Sequence, residues 1–352
     1  MSLKKIAELA GTSVSTVSRV LNSPEHNCQT PGLAEKIWNI ADSIHYVPNP
    51  SARNLRLPPA AKPAYTVDIF LTRFDSMDKD YFFRELFWHL KEELMQHQCL
   101  LGKSLTTVDI MALRQNSGSV EHIPLSGKSR PFIPNISEKK NTGLIILGKC
   151  PRKLTPLLKK RYSCIAGIDR NPTDFEYDEV ICNGMTAAEK AMNYLISLGH
   201  RDIAYIGDCT YETRYIGYYQ ALVSHSLPFD YANIHPTDQT REEGFHAMTS
   251  ILSSARLPSA IFCANDCTAL GVLDALKKSR KRSYFPSIIS IDNIKDSQKT
   301  NPMLTTIDIP KKEMAHHALH LLLDRRDNGH QEPVRTELPC RLIERESCTW
   351  HL

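Results

Sequence analysis

The chain has 352 residues, 41% of them hydrophobic and 23% charged, with a formal charge of +4. This length accommodates two or three domains, and the balance is that of a folded globular chain rather than a low-complexity polymer. No apolar run approaches the roughly 18 residues of a membrane-spanning helix, and the excess charge is concentrated, since residues 1–62 carry +3 and the remainder +1.

The N-terminus, MSLKKIAELAG, has a charge pair but no apolar stretch or small-residue cleavage site after it. The chain is therefore expected to stay in the cytoplasm, where it is made. Leu3 to Ala10 have a helical pattern that breaks at Gly11, a residue that takes positive φ without a Cβ penalty. In TSVSTVSRVLN, Thr12 to Asn22, Val17 and Val20 fall on one side of a second helix with Leu21 at its edge. Ser15, Ser18 and Arg19 fall on the other side. A helix with one small apolar face and one Ser/Arg face, set close behind another helix, suits a helix-turn-helix reader. Hydroxyls bond phosphates, and Arg forks onto guanine O6 and N7. Helix pattern alone fits an ordinary helical hairpin equally well. The small basic excess of this segment is what a nucleic-acid footprint requires.

Thr30-Pro31 reads as an N-cap followed by proline at the first helical position. Leu33, Ile37, Ile40, Ala41 and Ile44 then recur at helical spacing with Trp38 near them, before Tyr46-Val47-Pro48-Asn49. Pro50 to Arg56 is too short for an independent helix, and LPPAAKPA, residues 57–64, reads as a stiff tether. From Thr66 apolar runs alternate with amphipathic helices, which predicts an α/β core with a parallel sheet. The expected strands are 66–71, 100–105, 143–147, 163–169, 180–182, 202–207, 260–264 and 288–292. The expected helices are 81–97, 154–161, 185–198, 215–225, 242–254, 268–279 and 311–323. Residues 106–142, rich in Ser, Asn, Gly, Pro and Lys, predict a short helix and a long loop. The ten cysteines are scattered without a CxxC pair, so reduced thiols are expected rather than disulfides or zinc.

SLKKIAELAGTSVSTVSRVLN followed by YVPNPSARNLR closely resembles the headpiece of the lactose/galactose-repressor (LacI/GalR) family of bacterial transcription factors. LGHRDIAYIG, TRYIGYYQAL, AIFCANDCTALGVLDAL and PMLTTIDIP resemble its core. The resemblance implies an α/β protein with an N-terminal all-α helix-turn-helix headpiece (1–49). A hinge helix and linker (50–64) and a two-lobed, periplasmic-binding-protein-like core of parallel sheets (65–352) follow. Lobe 1 would hold about 65–181 and 308–328, and lobe 2 about 182–307 and 329–352. The implied DNA contacts are Val14, Ser15 and Arg19 to base edges and Thr16, Ser18 and Asn22 to phosphates. Leu55 would be a minor-groove wedge, with Ala52 allowing two hinge helices to approach. The implied partners are pseudo-palindromic operator DNA, a small effector and a second copy of the chain; no cofactor, metal or membrane is expected.

Several polar residues stand where strands should end, and ligands of open α/β sheets bind at such ends. Asp169, Arg214, Asn265 and Asp292 match effector-contacting positions of the family, and Asp78, Tyr81 and Phe82 resemble its first-lobe wall. Carboxylate, amide and guanidinium groups suit vicinal sugar hydroxyls. Arg214 could instead pair with Glu212 or Asp208 on the surface, and Asp266 is expected to cap its helix. Leu147 and Ile309 depart from the family, where a polar amide and a glutamine are common. The LILGK stretch, with the core as a whole, resembles family members that answer to β-galactosides, which implies a β-galactoside or related oligosaccharide. No HExxH, GxSxG or GxxxxGK[ST] arrangement supports an enzyme, and His316-His317 reads as a solvated helix face. The function expected is a repressor of carbohydrate-utilisation genes. The alternatives are a sugar-binding protein without a DNA role, and a regulator that answers to a non-sugar ligand such as a nucleobase.

Overall fold

The computed structural model describes residues 3–22, 32–43, 65–73, 80–110, 142–169, 171–173, 175–210, 212–281 and 283–351. Three short helices come first: α1 (Leu3–Ala10), α2 (Val14–Asn22) and α3 (Leu33–Ser43). Gly11 sits at φ +69, and the amides of Gly11 and Thr12 reach back to the carbonyls of Glu8 and Ala7. This ending satisfies last-turn carbonyls and needs a left-handed residue, which explains the glycine. Ser13 caps α2 by accepting the Thr16 amide at 3.1 Å. Ile6, Val17, Val20, Leu21, Ile37 and Trp38 are buried in one cluster. Helices this short are marginal alone, so that cluster holds the head together.

The core has two six-stranded sheets. The first contains β1 (Thr66–Leu71), β2 (Leu100–Leu105), β3 (Thr142–Leu147), β4 (Ile165–Asp169), β5 (Asp178–Ile181) and β11 (Arg335–Glu337) in the order β11-β5-β4-β3-β1-β2. Every pairing in it is parallel. The second contains β6 (Ile203–Gly207), β7 (Ile234–Pro236), β8 (Ala260–Cys263), β9 (Ser287–Asp292), β10 (Thr305–Asp308) and β12 (Arg341–Ile343) in the order β12-β10-β9-β8-β6-β7. Only β12 runs antiparallel there. The helices are α4 (Tyr81–Gln96), α5 (Thr155–Arg161), α6 (Gly184–Ser197), α7 (Thr213–Ser224), α8 (Arg241–Ser253), α9 (Asp266–Lys278) and α10 (Lys311–Arg326).

Both faces of each sheet are covered, which is why the strands read as continuous apolar runs. In β3, Ile145 and Leu147 enter the large cluster on one face, and Leu144 and Ile146 enter the α5-side cluster on the other. Helices α8 and α9 pack at backbone contact. A Cβ on Gly271 would lie 1.9 Å from the Arg241 carbonyl oxygen, and one on Gly244 would lie 2.2 Å from that of Thr268.

The expected strands and helices of the core match these elements to within a few residues. The last passage between lobes is expected at roughly residues 327–338. Arg335–Glu337 pairs with β5 in the first sheet, so the chain crosses between Glu337 and Arg341, at the end of that range and beyond the lobe boundary of about 328. Strands β7, β10, β11 and β12 lie outside the expected strand set; at three or four residues each they carry too little periodicity to be read. The expected short helix after Thr106 is present as helical residues 107–110; residues 111–141, like the hinge segment, lie outside the described residues. The head rests on the core: Trp38 meets Trp88 of α4 edge-on at 5.0 Å, and Lys295 pairs with Glu35 at 3.3 Å.

Candidate functional sites in the head and the cleft

The polar face expected on α2 is turned outward. Val14, Ser15 and Arg19 are exposed, Thr16 and Ser18 are half-buried, and Val17, Val20 and Leu21 pack inward. The Oγ of Ser13 bonds the hydroxyls of Ser15 at 2.7 Å and Thr16 at 2.9 Å, ordering the N-terminal turn that a groove reader presents. Asn22 ends α2, but its side chain lies outside the described residues, as do Ala52, Leu55 and Asp78.

The second-lobe rim is a buried polar network centred on Arg214. Its side chain is 1% exposed. Nε donates to Glu212 Oε1 at 2.9 Å, and Nη2 donates to Glu212 Oε2 and Gln239 Oε1, both at 2.8 Å. Nη1 donates to the Ala264 carbonyl at 2.7 Å. These bonds engage four of the five N–H groups of the guanidinium. Burial opposes its charge, but the Glu212 carboxylate outweighs burial and holds the pKa raised. The surface ion pair weighed for Arg214 is thus corrected in one respect: the partner is Glu212, but the pair is buried.

Asn265 caps α9, accepting the Thr268 amide at 2.8 Å and the Thr268 hydroxyl at 2.7 Å while donating to the Gln239 carbonyl at 3.1 Å. Asp266, expected as the cap, lies one residue inside the helix and is buried instead. It accepts from Ser290 Oγ at 2.5 Å, Thr306 Oγ1 at 2.7 Å and the Ile294 amide at 2.8 Å. Burial, then the charge of Asp292, pushes its pKa up to about 7. Asp292 itself ends β9, is buried, and holds φ +124. A residue with a Cβ rarely occupies that region, and such strain clusters at ligand sites.

The first-lobe rim is aromatic. Asp80 caps α4 by accepting the Phe83 amide at 3.2 Å, which places Tyr81 and Phe82 in the first turn. Phe82 is buried and meets Phe83 edge-on at 5.2 Å. Lys311 Nζ stands 5.5 Å from the Phe82 centroid. Asp169 ends β4 and is buried. Leu147 and Ile309 both belong to the large apolar cluster, so neither supplies the polar group seen elsewhere at those positions.

The two rims touch. Thr213 donates through Oγ1 to Asn171 Oδ1 at 2.8 Å, and Arg73 Nη2 donates to the Asp238 carbonyl at 2.5 Å. Glu85 of α4 accepts the Lys295 amide at 2.7 Å and pairs with Lys311 Nζ at 3.5 Å. Lys311 also donates to the Asp292 carbonyl at 2.5 Å. Glu212, Gln239, Asn171 and Lys311 were not among the expected site residues. Glu212 had been considered only as a surface partner, and Gln239 follows the unread strand β7.

A helix-turn-helix head and a two-lobed α/β core are together the architecture of a ligand-responsive regulator. The comparisons agree: the profile of the lacI family of bacterial regulatory proteins matches residues 2–49, and that of a periplasmic binding protein-like domain matches residues 192–348. The chain is similar to lacI-family regulators over its head and to a periplasmic binding protein-like domain over much of its core. It is 28% identical over 356 residues to the HTH-type transcriptional repressor PurR of Shigella sonnei (strain Ss046), covering 98% of this chain and 96% of that protein. It superposes on the transcriptional regulator CelR in complex with cellobiose with a TM-score of 0.67, 21% identity, and coverage of 99% and 100%. The lac repressor dimer bound to operator and the anti-inducer ONPF gives a TM-score of 0.63, 20% identity and coverage of 99% of both chains.

Proposed function

We propose that the protein is a dimeric transcriptional repressor whose grip on a pseudo-palindromic operator is set by a small sugar held between the lobes. The observation that carries this is the pairing of an exposed Val14-Ser15-Arg19 face in the head with a buried Arg214 network at the cleft. The first reads DNA, and the second is of little use to a protein that only binds DNA. Val14 offers no hydrogen bond, so operator choice rests on Ser15, on Arg19 and on the Leu55 step. Two heads on one dimer require half-sites about one helical turn apart.

For the ligand, the second-lobe rim holds charged and amide side chains at fixed spacing, and half-buried Tyr81, beside the buried Phe82, offers an apolar edge. That combination suits a sugar, whose hydroxyls lie at its edge and whose C–H groups form a face. A core of this fold takes a disaccharide in CelR, which was solved with cellobiose. The resemblance noted in the sequence points to a β-galactoside or related oligosaccharide. Coupling requires that the ligand prefer one lobe arrangement; carrying the operator from mostly bound to mostly free needs about 5.5 kcal/mol of preference.

Two measurements test this reading. Purified protein is titrated with inverted-repeat and random duplexes at several salt concentrations; a salt-sensitive preference for the repeat is expected. Leu55→Ala should lose much of that preference while keeping ligand affinity, and equal operator affinity would remove the wedge. A thermal-shift screen of mono- and disaccharides beside purine bases identifies the effector class, because a ligand of the folded state alone raises the melting point. A shift with bases and none with sugars would replace the sugar with a nucleobase.

A further inference from the structure

The sequence reading treats His316 and His317 as solvated surface, but the fold gives His316 other neighbours. His316 and His320 are one helical turn apart on α10, and His97 caps the C-terminus of the adjacent α4. The rings of His316 and His320 have centroids 4.2 Å apart, and those of His97 and His320 are 4.8 Å apart. One nitrogen from each of the three lies within 4.8 Å of the other two, and all three residues are exposed. Beneath them is Glu93, a carboxylate only 4% exposed. It accepts from His316 Nδ1 at 3.0 Å and lies 3.8 Å from His97 Nε2.

We propose that His97, His316 and His320 form a binding site for a borderline first-row divalent cation such as Zn²⁺, with Glu93 as the carboxylate that orients His316. Three imidazoles select zinc, nickel, cobalt or copper over calcium and magnesium, which want oxygen ligands. A carboxylate on Nδ1 fixes the tautomer that leaves Nε2 free to bind, and this second contact is typical of metal-bound histidine. Metal–nitrogen bonds of about 2.0–2.1 Å place tetrahedral ligands roughly 3.4 Å apart. The nitrogens must therefore close by up to about 1.4 Å, which exposed imidazoles achieve by rotamer adjustment. Three protein ligands leave one position for water.

The cation would staple the C-terminal end of α4 to the middle of α10. The opposite ends of these helices carry Phe82 and Lys311, which face the cleft. Occupancy would therefore stiffen the first-lobe rim from its far side.

The test uses the full chain with any affinity tag removed. Zn²⁺ is titrated calorimetrically, and Co²⁺ is followed by its visible absorption. One equivalent should bind per chain, Co²⁺ should show the spectrum of a nitrogen-rich low-coordinate site, and the melting temperature should rise. His320→Ala and His316→Ala should abolish the one-equivalent site. Glu93→Gln should weaken it by about 10–100-fold. The metal-free melting of His320→Ala should match that of the parent, so a folding defect cannot imitate its loss. Unchanged Zn²⁺ binding in His320→Ala, or no stoichiometric Zn²⁺ uptake by the parent chain, would overturn the proposal.

Discussion

The two sides of the cleft are made of different material. The second-lobe rim is a closed circuit of charge and amide: Glu212, Arg214, Gln239 and Asn265 satisfy one another, and Asp266 and Asp292 lie buried nearby. The first-lobe rim is a short aromatic turn on α4, fixed by the Asp80 cap and by packing. A buried polar circuit is costly to rearrange, because each member left unpaired pays a desolvation penalty. An aromatic turn tolerates substitution within apolar chemistry. On the proposed reading, the second lobe would supply direction for a ligand and the first an apolar surface.

The largest effect should come from cutting the polar circuit. Arg214→Met leaves the Glu212 carboxylate buried and unpaired, and should cost about 3–5 kcal/mol in urea melts. Adding Glu212→Leu removes the stranded charge and should recover much of that stability without restoring any ligand-induced thermal shift. A double variant that regains the shift would show that Arg214 serves packing alone. On the opposite rim, Phe82→Leu should cost only about 1 kcal/mol of stability while weakening the ligand several-fold. Equal ligand loss and stability loss in both rims would erase the contrast drawn here.

The contrast also explains what was legible beforehand. The helices of the head could be read from the Gly11 break between two small apolar patterns, a turn its local hydrogen bonds bear out, but reading them as a DNA-binding head took the resemblance of the whole stretch. The central strands could be read because burial on both faces leaves unbroken apolar runs. The polar circuit could not be read in full. Arg214 and Asn265 stand beside recognisable motifs, but Gln239 comes from a loop after a three-residue strand, at φ +63. Asp266 was misassigned for a related reason. Asn and Asp are both good caps, and only the position of the first helical turn decides between neighbours. The exact point of the crossing from β11 to β12 escaped because edge strands this short take their register from the sheet they join.

Asp266 gives a test in pH. An ordinary aspartate titrates near pH 3.9, whereas this one is pushed up to about 7 by burial and by Asp292. The folded state therefore keeps the proton to higher pH than the unfolded chain. The stability this contributes is whole below about pH 4 and is lost as pH rises through about 7. Asp266→Asn keeps the shape, and its fixed amide removes the titration. The difference in unfolding free energy between parent and variant should change steadily from pH 4 to 7 in favour of the variant, then level off. A difference that is flat over that range would show Asp266 ionised throughout.

The smallest effect concerns the contact between the rims. Thr213→Val preserves volume and the backbone amide but deletes the hydroxyl bond to Asn171 at 2.8 Å. One partly buried hydrogen bond contributes about 1 kcal/mol. This bond exists only when the lobes meet, so its loss weighs on the open–closed equilibrium, shifting it about fivefold toward the open form. Global unfolding should scarcely change. Scattering should show a larger mean radius of the unliganded protein, and a ligand that acts by closing the lobes should bind about fivefold more weakly. If affinity held while the radius grew, the ligand would not draw on closure, and the first lobe would be a wall rather than a moving part.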